Sequence, residues 1–435
     1  MAGSAGGARD ARVACRAVST PRTRAPAPRR PSRPVQTEPR VRKGAVKLSP
    51  EVASHVRAGH PLVFREALGP RALPGAAGDA IDLLDGDGQL VARGLFDPTS
   101  PVAVRVVTRD PNQQIGPSLF AERVRSAVER RRGLVPDGLT AYRIVHAEGD
   151  GIPGLTVDRY GDYLVAQIFS PAIEPHLTAI YDALEATIKP RAIYAQNRQR
   201  PQSGEGHAQP ATLQRGTLAP VEVEVVEGGL KFLVDVTAPL GTGLFLDLRK
   251  GRELIGKNAD GRRVLNLFSY TGAISVYAAK GGAKEVVAVD LAQRAHARAR
   301  RNFEINGLTT PHDPIAGDAF KVLARFAERG RKFDLAVVDP PSFAQGKGGT
   351  FTVAGDYPEL VEATLRVCER GARVAFVSNT MKLLPAELDR AIGTGAYRAG
   401  REVRIIDRVG LPADFPLPAG YYDGNYLKFF FAVVD

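Results

Sequence analysis

The amino-acid sequence predicts an α/β protein whose carboxyl-terminal half is a doubly wound domain built on a mostly parallel sheet. Short runs of nearly all-apolar residues, as expected for strands buried on both faces, lie at 263–267, 285–289, 335–338 and 373–377. Helical patterns fill the intervals between them, as at 292–306 and 357–369. Strands that alternate with helices form parallel sheets, whose ligands bind at the carboxyl ends of the strands.

Residues 1–44 form a basic, Pro-rich segment that we expect to be disordered, because it has too few apolar side chains to offset the entropy of ordering. It holds ten Arg and Lys43 against Asp10 and Glu38, so it carries +9 of the net charge of +12 and leaves about +3 for the rest. Three interpretations stay open: an arm that attracts phosphates, an organelle transit peptide, or sequence upstream of the actual start codon.

Two smaller units are predicted between this segment and the α/β domain. Residues 45–112 are strand-rich, with apolar or alternating runs at 80–84 and 102–107 separated by turn formers such as Asp85-Gly-Asp-Gly88. Residues 113–220 combine a helix near 118–132 and a second near 175–188 with short strands between and after them, which predicts an α+β unit. Its residues 197–217 are rich in Gln, Gly, Pro and Ser and are predicted to be a loop. The α/β domain then covers 221–435.

Composition excludes several classes of protein. No apolar run reaches the roughly 18 residues that span a bilayer, and no secretory signal pattern follows the basic start. With Cys15 and Cys368 as its two cysteines, the chain can build neither a disulfide framework nor a thiolate zinc site. The seven histidines show no metal-ligand spacing, so no metal is expected. We expect an intracellular, cytoplasmic protein.

Polar residues follow several of the predicted strands, where a ligand would bind. The strand at 263–267 runs into Asn266-Leu-Phe-Ser-Tyr-Thr-Gly272 and then a helix at 273–280, but Gly-x-Gly-x-x-Gly is absent from this turn, which disfavours NAD. Asp290 ends the next strand, where a carboxylate can accept both hydroxyls of a ribose. Asp318 can accept an adenine amino group or simply cap the following helix.

The loop after the strand at 335–338 has the most distinctive sequence, Asp339-Pro340-Pro341-Ser342-Phe343. Consecutive prolines donate no hydrogen bonds and rigidly expose the carbonyls around them, while Asp and Phe supply an acceptor and a flat stacking surface. Such a loop suits a nucleobase turned out of its strand. We therefore predict Asp339, Pro340, Pro341 and Phe343 as the catalytic residues.

The motif from Asn266 to Gly272, with Asp290, Asp318 and the Asp-Pro-Pro loop, resembles the successive motifs of class I S-adenosylmethionine (SAM)-dependent methyltransferases. More narrowly, the chain resembles bacterial 23S ribosomal RNA cytosine-C5 methyltransferases with an amino-terminal PUA domain. Segments that carry this likeness include Gly59-His-Pro-Leu-Val-Phe64, Glu148-Gly-Asp-Gly-Ile-Pro-Gly-Leu155 and Gly243-Leu-Phe-Leu-Asp-Leu-Arg249. The resemblance implies a Rossmann-like methyltransferase domain, a PUA-like RNA-binding domain over 45–112, and a small α+β domain between them.

The resemblance also assigns roles in SAM binding. It implies that Asp290 binds the ribose hydroxyls, that Asp318 binds the adenine amine, and that Arg249 meets the cofactor's carboxylate. The methionine part would lie on the loop after Leu267. The complete predicted SAM-binding set is Arg249, Asn266, Phe268, Ser269, Tyr270, Thr271, Gly272, Asp290, Asp318 and Asp339.

One departure from this family concerns the reaction itself. Cytosine C5 is a poor nucleophile, and the enzymes that this chain resembles activate it by adding a cysteine thiolate, from a Ser-Cys-Ser triplet, to C6. Here the strand at 374–377 continues as Ser378-Asn379-Thr380. Asn379 cannot attack carbon, and Cys368, predicted in the preceding helix, lies about ten residues too early and is expected in the core.

The sequence therefore predicts SAM-dependent methylation of a ribosomal RNA base without a cysteine nucleophile, as for a purine nitrogen, which carries its own lone pair. Two alternatives stay open: a degenerate protein that binds RNA and SAM, and C5 methylation by an unrecognised nucleophile. A small-molecule methyltransferase is disfavoured because it would leave the RNA-binding resemblance unexplained. Oligomeric state is left open.

Overall fold

The computed structural model describes residues 44–69, 75–199, 209–341, 343–346, 349–381 and 383–435, and for 343–346 and 349–354 it describes the backbone alone. The predicted disorder of the basic segment through residue 43, the predicted loop at 200–208 and the predicted stacking by the Phe343 ring lie outside what is described. No helix within these ranges is long and apolar enough to cross a membrane.

The first folded part is a five-stranded sheet with strand order β1-β3-β4-β5-β2 and one short helix. Its elements are β1 (Gly44–Lys47), α1 (Pro50–Arg57), β2 (Leu62–Phe64), β3 (Ala80–Leu84), β4 (Leu90–Phe96) and β5 (Val102–Thr108). Helix α1 was missing from the predicted strand-rich pattern. It has a local start signal, since Ser49 accepts a hydrogen bond from the Val52 amide at 3.3 Å and Pro50 occupies the first turn.

The middle of the chain forms a second five-stranded sheet, with order β10-β9-β8-β7-β6. Its elements are α2 (Pro117–Leu134), β6 (Ala141–His146), β7 (Leu155–Tyr160), β8 (Tyr163–Ile168), α3 (Leu177–Ile188), β9 (Ala192–Asn197) and β10 (Thr212–Gly216). The prediction of a loop over 197–217 is wrong at its end, because β10 pairs antiparallel with β9. This edge strand is almost wholly exposed, so its sequence lacks the apolar alternation that indicates a strand.

A hairpin and a seven-stranded sheet complete the chain. The hairpin is β11 (Val223–Glu227) with β12 (Leu230–Val234), and the sheet has the order β15-β14-β13-β16-β19-β21-β20. The other elements are α4 (Arg249–Lys257), β13 (Arg263–Leu267), α5 (Ala273–Lys280), β14 (Glu285–Asp290), α6 (Gln293–Ile305), β15 (His312–Ala316), α7 (Ala319–Glu328), β16 (Phe333–Val338), β17 (Phe343–Gly346), β18 (Gly349–Thr352), α8 (Val353–Arg366), β19 (Cys368–Ser378), α9 (Pro385–Arg398), β20 (Val403–Val409) and β21 (Lys428–Val434). The predicted doubly wound architecture is confirmed.

The parallel register of this sheet brings the predicted site residues to one edge. Leu267 at the end of β13 pairs with Val289 of β14 and with Val338 of β16. The residues that follow these strand ends therefore meet at the carboxyl edge, where open α/β sheets bind their ligands. Apolar cores cover both faces, with α4 and α5 on one side and α7, α8 and α9 on the other.

Cys368 lies at the opposite edge of the sheet. It is the first residue of β19, so its predicted place in the preceding helix is wrong; α8 already ends at Arg366. It pairs with Phe333, the first residue of β16. Its side chain belongs to the apolar core, as expected, and burial raises the pKa of its thiol to about 12. A thiol in this place is neither ionised nor near the ligand edge.

Candidate active site

A cavity of about 390 Å³ lies at the carboxyl edge of the seven-stranded sheet. We call it the cofactor cavity. Eight of the predicted catalytic and SAM-binding residues line it, namely Phe268, Ser269, Tyr270, Thr271, Asp290, Asp339, Pro340 and Pro341. Loops after three different strands thus converge on one space, as the register of β13, β14 and β16 requires.

The loop after β13 is held in a conformation that side chains rarely adopt. Phe268 and Tyr270 have positive φ angles of 58° and 47°. The Asp290 carboxylate accepts a hydrogen bond from the Tyr270 amide at 2.8 Å, and Asn302 of α6 donates to the Thr271 carbonyl at 3.0 Å. The hydroxyl of Thr271 donates in turn to the backbone carbonyl of Gly243. These contacts fix the loop before any ligand arrives.

Two of the predicted residues support this loop from outside the cavity. Asn266 is fully buried in β13 and donates to the Ser275 hydroxyl at 3.0 Å. Gly272 starts α5 with a φ of 74°, and a Cβ there would come within 2.8 Å of the Ala299 side chain. Glycine at this position thus satisfies both the backbone conformation and the close packing of α5 on α6.

Asp290 both stabilises the loop after β13 and lines the cavity. Its second oxygen accepts from the Ala292 amide at 2.8 Å, so each carboxylate oxygen already holds one backbone N–H. Each oxygen keeps a further lone pair, and the residue lines the cavity. Leu291 beside it is 63% exposed and lines the same space, which offers an apolar surface next to the acceptor.

The acidic groups of the cavity influence one another. The pKa of Asp339 is raised to about 7, chiefly by burial and then by the charge of Asp247, while Arg252 opposes the shift. Burial also raises the pKa of Asp247, although a hydrogen bond from the Tyr426 hydroxyl at 2.9 Å opposes this. Arg252 is itself committed, because it forms a buried ion pair with Glu227 at 2.7 Å. A carboxyl group with a pKa near 7 can take or give a proton at neutral pH.

Two predicted SAM-binding residues lie elsewhere. Arg249 is buried and forms an ion pair with Asp414, and it does not line the cavity. Asp318 caps α7 by accepting from the Lys321 amide at 3.0 Å and is also absent from the cavity wall. Their proposed contacts with the cofactor's carboxylate and adenine amine stay predictions.

Asn379 follows the carboxyl end of β19 and lines the cofactor cavity. Its segment is fixed from two sides. The buried Tyr357 hydroxyl donates to the Val377 carbonyl at 3.0 Å, and Lys428 Nζ donates to the carbonyls of Thr380 and Tyr426 at 2.5 and 2.6 Å. Asn379, which the sequence resemblance places at the position of a cysteine, is therefore held at the cavity wall.

The cavity fits SAM. Ser269 is 7% exposed, lines the cavity, and its hydroxyl has no hydrogen-bond partner among the described residues. Such an orphaned polar atom is suited to a polar ligand. When bound, SAM supplies an electrophilic methyl group on a sulfonium centre. Asp290 and the loop from Phe268 to Thr271 would hold it, and no group of three or more metal-ligating side chains occurs in the described ranges.

Sequence reasoning missed several residues of the cavity wall, among them Phe245, Asp247, Arg252 and Leu291. Phe245 and Asp247 lie within the segment Gly243–Arg249 that carries the family likeness, and Asp247 is a charged residue in an apolar run that turns out to be largely buried. Leu291 directly follows Asp290 in the chain. Arg252 comes to the site through the packing of α4, and no short motif indicated it.

Curated relatives cover nearly the whole folded part of the chain. It is 36% identical over 373 residues to the ribosomal RNA large subunit methyltransferase I of Aeromonas hydrophila, a match that includes 85% of this chain and 94% of that protein. The protein of the same name from Photobacterium profundum is 34% identical over 378 residues, covering 86% of this chain and 95% of its own length.

Solved structures share the fold. A methyltransferase solved in complex with SAH superposes with a TM-score of 0.82 at 24% identity, over 90% of this chain and 100% of that one. A SAM-dependent methyltransferase from Streptococcus mutans gives a TM-score of 0.80 with the same identity and coverage.

The sequence also matches two families of domains. Residues 46–109 match the PUA-like domain. Residues 143–418, more than half of the chain, match the S-adenosylmethionine-dependent methyltransferase family, so SAM is the cofactor of this protein. The strand-end loops, the cavity and these matches agree that the chain belongs to the SAM-dependent methyltransferases.

Proposed function

We propose that this enzyme methylates a base of large-subunit ribosomal RNA with SAM as the methyl donor, releasing S-adenosylhomocysteine. The relatives named ribosomal RNA large subunit methyltransferase I support the substrate, since the similarity spans 94% and 95% of their lengths. The PUA-like domain matched at residues 46–109 supports RNA binding. An RNA substrate of this kind also favours a cytoplasmic location.

We propose further that the reaction uses no cysteine nucleophile. The observation that carries this proposal is the placement of position 379: an asparagine lines the cofactor cavity where the resemblance expects a cysteine. Cys368 starts the same strand at its other end, on the order of 30 Å away at the usual rise per residue. An amide can orient a base but cannot add to carbon. A base nitrogen, with its own lone pair, is the acceptor that fits these residues.

Each predicted domain has its own proposed role. We assign residues 45–112 to RNA binding, residues 221–435 to the cofactor and the reaction, and residues 113–220 to a connecting unit that also contributes to the substrate side. Within the catalytic domain, Asp339 is the proposed acid–base group, because it lines the cofactor cavity and its pKa is raised to about 7. Pro340 and Pro341 hold the carbonyls beside it in place.

Mass mapping of modified bases in ribosomal RNA tests this function. Large-subunit RNA from cells with and without the gene should differ by one methyl group on one base, and purified enzyme with SAM should restore it. Fragmentation of that nucleotide should place the methyl on nitrogen. Identical RNA from both strains, together with SAM and RNA binding by the purified chain, would instead identify a binding protein with a vestigial site, the alternative that the sequence left open.

A further inference from the structure

A second cavity, of about 450 Å³, adjoins the cofactor cavity. We call it the substrate cavity. Three residues, Phe245, Asp247 and Asn379, line both spaces and so form the boundary between them. An acceptor that is to receive a group from a ligand in one space must lie against that boundary in the other. The size falls in the range usual for small-ligand sites.

One side of the substrate cavity is polar and is formed by strands β6 and β7 of the second five-stranded sheet; we call this side the floor. Arg143 pairs with Asp158 through two hydrogen bonds of 2.8 and 2.9 Å, and its guanidinium lies 4.4 Å from the centre of the Phe415 ring. The same guanidinium lies 3.1 Å from Nδ1 of His146. Because a guanidinium only donates, that nitrogen must accept, and the neutral ring then carries its proton on Nε2. Burial and the neighbouring arginines hold the pKa of His146 well below its usual value, which keeps the ring neutral.

One buried side chain on this floor lacks a partner. Thr156 on β7 is 5% exposed and lines the cavity, and its hydroxyl makes no hydrogen bond within the described part of the chain. Buried hydroxyl groups are almost always paired, so such a group indicates a ligand that completes it. A hydroxyl both donates and accepts, which suits the mixed donor and acceptor edge of a nucleobase.

Asp247 lines both cavities and forms no ion pair with an arginine among the described residues. Arg143 is paired with Asp158, and Arg252 with Glu227. The partner that Asp247 does have is the Tyr426 hydroxyl, which donates to one of its oxygens at 2.9 Å. A partly buried carboxylate in this position is suited to accept a hydrogen bond from an N–H group of a bound molecule.

Aromatic side chains border the substrate cavity and remain exposed. Phe169 is 43% exposed and Phe245 is 51% exposed, and both line the cavity. Exposed aromatic rings next to a polar pocket are the surfaces on which unpaired bases of RNA stack. Arg198 also lines the cavity and brings positive charge for the RNA backbone, whereas the wall residue Arg105 is paired with Glu148 at 3.0 Å.

We propose that the substrate cavity receives a nucleobase turned out of the RNA strand, and that Asp247 accepts a hydrogen bond from its N–H edge beside the cofactor. Thr156 pairs with the same base from the floor of the cavity. Phe169 and Phe245 stack against the base or its neighbours. This inference rests on the proposed RNA substrate and adds to it the site and the residues that distinguish one base from another.

Photochemical crosslinking tests the site without relying on turnover. Full-length enzyme is irradiated with 23S ribosomal RNA from cells that lack the gene, and crosslinked peptides are sequenced by mass spectrometry. We expect nucleotides on peptides that contain Phe169, Phe245 or Tyr421, another aromatic residue of the cavity wall. Crosslinks confined to peptides outside this wall would overturn the proposal.

Variants sharpen the test. Thr156→Leu, which adds bulk to the floor, should reduce these crosslinks at least tenfold, and Thr156→Val, which removes only the hydroxyl, about three- to tenfold. Thr364→Val, a matched control, removes a buried hydroxyl that bonds within its own helix and should leave the crosslinks unchanged. Calorimetric titration with SAM, expected within about threefold of wild type for all three, confirms that the variants fold. If Thr156→Leu loses SAM binding, Thr156→Val decides, and unchanged crosslinks in that variant would refute the site.

The role of Asp247 is tested separately with Asp247→Asn, which keeps the shape and an acceptor for Tyr426. Methyl incorporation from tritiated SAM into the same RNA should fall at least tenfold, and the crosslinks should weaken. Wild-type enzyme that crosslinks at the cavity wall but incorporates no methyl would refute the proposed function and leave the site standing. Normal incorporation together with crosslinks elsewhere would refute the site and leave the function standing.

Discussion

Replacement of Asp290 by alanine should weaken SAM binding at least tenfold. The carboxylate accepts hydrogen bonds from the Tyr270 and Ala292 amides at 2.8 Å and lines the cofactor cavity, where its remaining lone pairs are predicted to accept from the ribose hydroxyls. Hydrogen bonds to a charged group contribute about 1.5–3 kcal/mol each, so loss of two corresponds to about 3–6 kcal/mol, or roughly a 10²- to 10⁴-fold weaker complex. Partial exposure of the carboxylate favours the lower part of this range.

The same substitution should disturb the loop that it holds. Tyr270 has a positive φ of 47°, and without the hydrogen bond to Asp290 this conformation loses one of its supports. Asp290→Asn separates the two effects, because its amide oxygen keeps one acceptor while its nitrogen cannot accept from the second amide. We therefore expect an intermediate affinity for Asp290→Asn.

Isothermal titration with SAM measures these affinities, and circular dichroism verifies the fold. Asp313→Ala is a matched control, since this carboxylate lies on the neighbouring strand β15 and is largely exposed, outside the cavity wall. Its affinity for SAM should equal that of wild type. An Asp290→Ala protein that is folded and binds SAM as tightly as the control would refute the assignment of Asp290 to the ribose.

Five further outcomes are expected. Cys368→Ala should leave the rate of methyl transfer within a few fold of wild type. RNA containing 5-fluorocytosine should form no denaturation-resistant adduct with the enzyme. An adduct that disappears in Cys368→Ala or Cys15→Ala would restore cytosine C5 as the target. Asp339→Ala should lower turnover by roughly two to four orders of magnitude. The pKa of Asp339 in the folded protein is raised from 3.8 to about 7, so its contribution to stability is full below about pH 3.8 and is lost as the pH rises through about 7. Urea unfolding at several pH values should therefore show a free energy of unfolding that depends less on pH in Asp339→Asn than in wild type. Asp318→Ala should cost about 1 kcal/mol of unfolding free energy through loss of the α7 cap, measured by thermal denaturation without SAM. Deletion of residues 1–44 should reduce salt-dependent, non-specific RNA binding while methyl transfer persists, and loss of all turnover by a folded truncated chain would show that the segment is functional.

The fold could be predicted from the sequence where the burial of an element produces a recognisable run of apolar residues. The strands that lie inside the seven-stranded sheet are covered on both faces, so their apolar runs located β13, β14 and β16 to within one or two residues. Edge strand β10 has exposed residues at nearly every position and therefore looked like a loop. Helix α1 has eight residues, too few for a clear helical period, although Ser49 and Pro50 mark its start.

The site could be predicted only in the part that one sheet edge builds. Parallel strands place their carboxyl ends together, so Asp290 and Asp339 could be expected to meet without any knowledge of side-chain packing. The substrate cavity instead joins residues of the central sheet, such as Thr156, to a carboxyl-terminal segment around Phe415. No local pattern records a contact between segments more than 250 residues apart, which is why this half of the site was not foreseen.

The position of Asn379 relates the two cavities to the choice of the atom that accepts the methyl group. It lines both cavities, so whatever side chain stands there lies between the proposed cofactor and the proposed base. A thiolate at that point would attack carbon, whereas an amide offers one acceptor and two donors. Cys368 cannot substitute for a thiol there, because its register with Phe333 fixes it at the far edge of the sheet. In the reaction that we propose, methyl transfer relies on an acceptor atom that is already nucleophilic, and the carboxylates of Asp247 and Asp339 are the groups proposed to take its proton. Nitrogen atoms of the bases meet that requirement and C5 of cytosine does not, so the location of the methyl group on the modified base is the measurement on which this reasoning depends.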